Sequence, residues 1–307
     1  MDEPGDIIEP SGDQSAEPVI EQEFHVEDFR PSWDGGRAIL YFVLAAFSSL
    51  LMTISFIDPL GFNGSVIASE AIAFGLIPIL LSRFFRTGWR GWISKPAGPA
   101  MMWPWAIVAV LAFVVAQSNL LVLLDRLYPI PTSQLDMFRK YLAPESASGL
   151  IGLILVAAVV PGVFEEIAFR GLIQGGLRWS YGPRHAVVWT GLLFALLHMN
   201  PWNFISLWSL GCFLGYVTER TRSLYPAVVL HLINNACALS LLYVQGREHW
   251  EKRPEFIPWY WTVLGGIVML AAVWKFHRLT EPAAAGARQV ERMQAEAQFP
   301  GGPPVQY

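Results

Sequence analysis

The chain has 307 residues, 53% of them from the hydrophobic set, 13% aromatic and only 15% charged, with a mean hydropathy of +0.39. Soluble domains carry about a quarter charged residues, so soluble enzyme classes are largely excluded. With 21 Lys+Arg against 25 Asp+Glu the net charge is −4, and no basic surface argues for nucleic acid. The apolar residues come in long runs instead of alternating, which predicts an all-α, polytopic membrane protein of about eight transmembrane helices.

Residues 1–37 hold eleven acidic residues and several prolines, the composition of a disordered acidic tail. The N-terminal transmembrane helices occupy 38–147, with spans expected at Ala38–Ile57, Val66–Ser82 and Met101–Leu124. Glu70 stands alone in the second of these. Thr132–Ser146 reads as amphipathic or interfacial, with Arg139 and Lys140 on its polar side. Four further spans, Ser148–Ile173, Ala186–Met199, Asn203–Thr218 and Tyr225–Val244, fill a core at 148–244. The short Ala186–Met199 run forms a shallow or tilted pair with its successor, turning at Met199-Asn200-Pro201-Trp202. A last helix, Pro258–Phe276, lies within 245–277, and 278–307 is an Ala/Gly/Pro-rich segment expected to be disordered.

Lys and Arg near helix ends set the orientation. Arg30, Arg37, Arg83, Arg86, Arg90, Lys95, Arg178, Arg184, Arg220, Arg222, Lys275 and Arg278 fall on one side. Arg126, Arg139, Lys140, Arg247, Lys252 and Arg253 fall on the other. That asymmetry favours both termini on the cytoplasmic side, in a plasma or cytoplasmic membrane. Cys212 and Cys237 lie inside apolar runs and read as small packing residues. The Gly211 and Gly215 pair is spaced for close helix contact.

Ionisable side chains inside such spans cost something like 3 kcal/mol each on insertion scales, so their clustering carries the functional signal. The fourth span contains Glu165, Glu166 and Arg170, the fifth His198, and the seventh His231 with Asn235. Glu166 and Arg170 are i,i+4 in the favourable order and can pair. Glu165 points about 100° away without a local cation, and a desolvated carboxylate there suits a general base. Pro161 frees the carbonyl of Ala157 and kinks the helix. Two mechanisms fit these residue types. In one, Glu165 and a histidine activate water while Asn235 and the other histidine stabilise an oxyanion. In the other, Glu165, His198 and His231 bind zinc with a water in the open position.

Glu165-Glu166-x-x-x-Arg170, Phe194-x-x-x-His198 and His231-x-x-x-Asn235, in that order on successive apolar helices, resemble the CAAX-protease and bacteriocin-processing family. This family of intramembrane endopeptidases includes type II CAAX prenyl proteases of the Ras-converting kind and lysostaphin resistance protein A. Phe169-Arg170-Gly171 matches the family's usual continuation, and the resemblance covers about Ser148–Val244. It implies an eight-helix fold with an intramembrane active-site cavity. It also implies that Glu165 activates the hydrolytic water with His198, that His231 and Asn235 form the oxyanion site, and that Glu166 and Arg170 support the geometry. A metal-free glutamate mechanism is the favoured reading, with zinc as the alternative. The implied substrate is a lipidated or membrane-anchored peptide or protein, and membrane lipids are the implied surroundings.

A non-catalytic scaffold that keeps the fold, and a proton-coupled carrier using the same carboxylates and histidines as a relay, are the competing classes. A carrier of that kind should show matching broken helices in two halves. The polar set here is confined to three spans.

Overall fold

The computed structural model describes residues 33–85, 98–245 and 255–298. The acidic segment 1–32 and the cations Arg86, Arg90, Lys95, Arg247, Lys252 and Arg253 lie outside the described residues. Among those described the secondary structure is helical, with no strand. Five helices are long and apolar enough to cross a membrane: Gly35–Phe84, Met102–Leu127, Ala147–Tyr181, Leu224–Gln245 and Trp259–Val290. Pro183–Leu197 is a shorter apolar helix. No more than 22% of any of the five apolar windows is buried inside the protein. Large apolar side chains such as Leu40, Val43, Phe47 and Ile54 are exposed along the first helix, as lipid-facing surfaces require. The molecule is an all-α, polytopic membrane protein.

Helix α1 (Gly35–Ser69) runs on through a wide i→i+5 turn at Glu70–Leu76 into α2 (Ile77–Phe84). This stretch is not one straight rod. The Tyr41 hydroxyl donates to the Ala73 carbonyl at 3.0 Å, whereas 32 residues of straight helix would separate them by roughly 48 Å. The chain reverses where Pro59 and Gly61 interrupt the helix, Gly61 adopting φ +67°, a conformation natural only to glycine. The two arms correspond to the first two expected spans, with the turn reduced to a kink.

Helix α3 (Met102–Leu127) follows, then the short α4 (Thr132–Leu142), which has no buried residue. Tyr141 of α4 stacks on Phe62 of α1 with ring centroids 4.6 Å apart. This is the surface helix that the amphipathic pattern at 132–146 predicts.

The next apolar stretch is built from α5 (Ala147–Ile154), a wide turn at Leu155–Val159, α6 (Val160–Glu166), a second wide turn at Ile167–Ile173, and α7 (Gln174–Tyr181). Such i→i+5 turns are rare and concentrate at functional sites. Here they flank the paired glutamates. Gly182 at φ +80° and Pro183 then start α8 (Pro183–Leu197). Met199, at φ +46°, and the Asn200 side chain, accepting from the Asn203 amide at 3.1 Å, make the expected turn before α9 (Phe204–Thr221). Arg222 in the left-handed region closes α9 and leads to α10 (Leu224–Gln245).

Glycines let the helices around the paired glutamates approach. A Cβ on Gly211 would lie 2.8 Å from the Gly191 Cα, so α8 and α9 meet backbone to backbone. One on Gly162 would touch the Leu232 backbone at 3.5 Å, which seats α6 against α10. Trp33 and Gly35 tie the start of α1 to the far end of the α6–α7 stretch, through Leu172 O and Ser180 Oγ. Cys212 and Cys237 are free and half-buried.

Helix α11 (Trp259–Gln298) extends beyond the expected span. The segment from 278, whose composition reads as disordered, continues as helix to Gln298. Its alanines are strong helix formers, Ala284 and Ala287 are buried, and Arg220 of α9 anchors it by donating to Thr280 Oγ1, Glu281 and the His277 carbonyl.

Candidate functional site

Glu165 and Glu166 end α6, and both are buried, at 5% and 0% exposure. Arg170, one turn on, is completely buried and donates to Glu166 Oε1 at 2.8 Å, the pairing expected from their spacing. Its second arm donates to the Gly211 carbonyl of α9 at 3.0 Å. That carbonyl is reachable because the residue bearing it has no side chain. One turn further, Gln174 repeats the reach, donating to Gly215 O at 3.0 Å and to Glu219 at 3.1 Å. Gln174 falls just past the expected span and was not among the sequence candidates. Its signal is the i,i+4 spacing from Arg170 on the same face.

His231 enters from α10, 1% exposed. Its Nδ1 lies 2.8 Å from Glu166 Oε1, the oxygen that also accepts from Arg170. With a carboxylate as acceptor, Nδ1 carries the proton and donates. Nε2 is the nitrogen toward Glu165, 3.8 Å from its Oε2, beyond direct hydrogen-bond reach. Adjacent helical residues pointing 100° apart thus meet one imidazole from its two nitrogens. Glu165 Oε2 is buried with no hydrogen-bond partner among the described residues.

Asn235, one turn after His231, donates its Nδ2 to the Ala157 carbonyl at a long 3.4 Å. This is the carbonyl that Pro161, lacking an N–H, leaves without its ordinary helical donor. Asn234 donates to Asn235 Oδ1 at 3.2 Å. The amide of Asn235 is therefore held from both ends, and its hydrogen bonds run to α5–α6 and to its neighbour, not to His231.

His198 closes α8. Its Nδ1 sits 2.8 Å from the Phe194 carbonyl, which can only accept, so Nδ1–H donates and Nε2 is free to accept in the neutral ring. His198 is exposed, and its contacts run to Phe194 and not to Glu165. The Phe194 ring, fully buried, touches both histidines, with centroids 4.8 Å from His198 and 5.6 Å from His231. The Arg170 guanidinium lies 5.0 Å from the same ring. Phe194 is thus the hub that relates the three motif segments. Phe169, T-shaped against it at 5.3 Å, and Phe74 behind make an apolar floor.

The structure brings Glu165, Glu166, Arg170 and His231 into one buried network, with Asn235 on the same helix as His231. It joins His198 to them through Phe194. Among the described residues no three of His, Cys, Asp and Glu are gathered to hold a metal ion. The zinc set Glu165, His198 and His231 is not assembled in this arrangement. Chemically, the site offers a buried carboxylate oxygen without a partner, facing an imidazole whose other nitrogen is fixed.

Comparisons with curated proteins and with solved structures return no match. Residues 147–237, from the start of α5 into α10 and including all six motif residues, match the family model described as Rce1-like, type II CAAX prenyl endopeptidase.

Proposed function

We propose that the protein is an intramembrane endopeptidase that hydrolyses a peptide bond in a lipid-anchored or membrane-proximal protein, by a glutamate mechanism without a metal ion. The observation that carries this reading is the convergence of Glu165 and Glu166 on the two nitrogens of His231, with Arg170 neutralising Glu166 alone. Glu165 keeps a free oxygen to take a proton.

In this reading a water held between Glu165 Oε2 and His198 Nε2 attacks the scissile carbonyl. The new C–O bond forms as one proton passes to Glu165. The resulting oxyanion accepts from Asn235 Nδ2 and from Nε2–H of protonated His231. Glu166 fixes the His231 ring and balances its charge, as a carboxylate does for a catalytic imidazole. Arg170 holds Glu166 in place. As the C–N bond breaks, Glu165 returns its proton to the leaving amine. The apolar floor of Phe169, Phe194 and Phe74 keeps bulk water away from these charges. The N-in, C-in orientation expected from the basic residues would open the site toward proteins on the cytoplasmic leaflet.

The test compares membrane-protein termini in cells carrying the native chain or Glu165→Gln at matched protein levels. New C-termini present with the native chain and absent with the variant are the expected result. Identical termini in both would overturn the proposal in favour of a scaffold. A purified assay on a peptide ending in farnesyl-Cys and three further residues then tests whether the substrate is prenylated.

A further inference from the structure

Glu70 lies outside the matched stretch, on the second arm of the α1–α2 hairpin, and the motif reading gives it no role. It is nine-tenths buried, and its Oε2 has no hydrogen-bond partner among the described residues. The other buried polar side chains of this arm are satisfied by their own helix. Ser65, Ser69 and Ser82 donate back to Phe62 O, Val66 O and Ile79 O. Glu70 has only acceptor oxygens when charged and cannot do this. A buried carboxylate without a donor is costly, and neighbouring apolar packing gains nothing from it.

Its position points to a use. Glu70 opens the wide turn Glu70–Leu76, which packs on α6. Gly75 of that turn lies so close to Phe164 that a Cβ would sit 2.7 Å from the ring, and Phe164 directly precedes Glu165. Two buried carboxylates, each with an oxygen awaiting a donor, therefore share one region, and neither of these oxygens is met by Arg170. The hydrolytic reading gives Glu165 its donor, the water. It leaves one donor of the reaction unassigned: the N–H of the scissile amide.

We infer that Glu70 is a further catalytic residue, whose Oε2 accepts the N–H of the scissile bond and stabilises the amine as it leaves. The inference rests on the hydrolytic reading above. Water oxygen bonds to the carbonyl carbon, its proton passes to Glu165, and the C–N bond breaks as Glu165 protonates the nitrogen. The leaving nitrogen gains positive character in that last step, and a carboxylate already hydrogen-bonded to it favours the change. Glu70 takes no proton and is unchanged at the end.

An ester tests this, because an ester has no N–H at the scissile position. Purified full-length protein is given two farnesylated peptides, identical except that one carries an ester in place of the scissile amide. Glu70→Leu should slow amide cleavage roughly 10- to 100-fold in kcat, with KM little changed, while ester cleavage stays within about threefold of native. Glu165→Gln should lose both. Equal losses on amide and ester in Glu70→Leu would show a merely structural role and overturn the inference, as would no loss on either.

If the native protein cleaves neither peptide, the hydrolytic reading of this substrate fails by itself. The site membership of Glu70 is then decided by melting temperatures of Glu70→Leu, Glu165→Gln and the double variant. A double variant departing from additivity by roughly 2 °C or more keeps the two carboxylates in one site. Additive shifts remove Glu70 from it.

Discussion

Replacing Arg170 by methionine tests the organisation of the site most directly. The side chain is completely buried and makes two hydrogen bonds, to Glu166 Oε1 at 2.8 Å and to Gly211 O at 3.0 Å. Methionine fills much of the same volume but leaves Glu166, also completely buried, with His231 as its remaining hydrogen-bond partner among the described residues. Removing one member of a buried ion pair costs about 3–5 kcal/mol, chiefly because the other charge is stranded. The lost bond to Gly211 O adds little, since a carbonyl can turn to another donor more easily than a carboxylate can. Taking about 3 kcal/mol, and roughly 2–4 °C per kcal/mol for a chain of this size, Arg170→Met should melt roughly 6–12 °C below native in detergent. Glu166→Gln combined with Arg170→Met removes both charges, and it should recover most of that loss. Thermal unfolding of the native protein, both single variants and the pair closes the cycle. If Arg170→Met melts within about 2 °C of native, or the pair is less stable than either single variant, the buried pair is not what holds this site together.

Three other outcomes follow from the geometry. Gly211→Ala places a methyl 2.8 Å from the Gly191 Cα; with backbone on both sides neither helix yields cheaply, so a loss of about 1–3 kcal/mol is expected by thermal unfolding, and native-like melting would contradict the close contact. Asn235→Leu takes the donor from the Ala157 carbonyl and should melt a few degrees below native while still folding, and it should lose roughly 100- to 1,000-fold in kcat on a cleavable peptide, the cost of one oxyanion donor; an effect confined to KM would move Asn235 out of that role. Arg220→Met removes the donor to Thr280, Glu281 and the His277 carbonyl, so limited proteolysis should cut beyond residue 277 sooner than in the native chain, whereas an unchanged pattern would mean that helical packing alone secures α11.

The fold and the site were legible in the sequence to different degrees. Long apolar runs announce spans because the bilayer permits little else, and the Glu166–Arg170 pair follows from i,i+4 spacing. The relation between Pro161 and the Ala157 carbonyl was also readable, since a proline's missing N–H names the carbonyl it abandons. What answers that carbonyl, Asn235 from a helix 78 residues on, is a tertiary fact that no local pattern contains. The same holds for His231, which spacing places on a helix but which packing alone turns toward both glutamates. The hairpin at Gly61 was expected as a loop between spans, and the continuous helical character on either side concealed how tight the reversal is. The C-terminal segment misled because Pro282 and Gly286 suggested disorder, while the alanines around them favour helix and Arg220 lies on another element.

These relations explain how a membrane interior retains so many charges. Three side-chain donors near the site are matched by a backbone carbonyl that a special residue makes available. Gly211 and Gly215 bare theirs to Arg170 and Gln174, and Pro161 leaves that of Ala157 for Asn235. The motif residues therefore depend on small and helix-breaking residues that do no chemistry themselves. Among the described residues, matching near the site is incomplete at Glu165 Oε2, Glu166 Oε2, Glu70 Oε2, Arg170 Nε, Gln174 Oε1 and Asn234 Oδ1. Glu166 already shares its other oxygen between Arg170 and His231, so its charge is balanced. Glu165 and Glu70 have no such balance, and the fold bears the cost of burying them. In the hydrolytic reading, that cost is where the binding of water and of the scissile bond would be returned as catalysis.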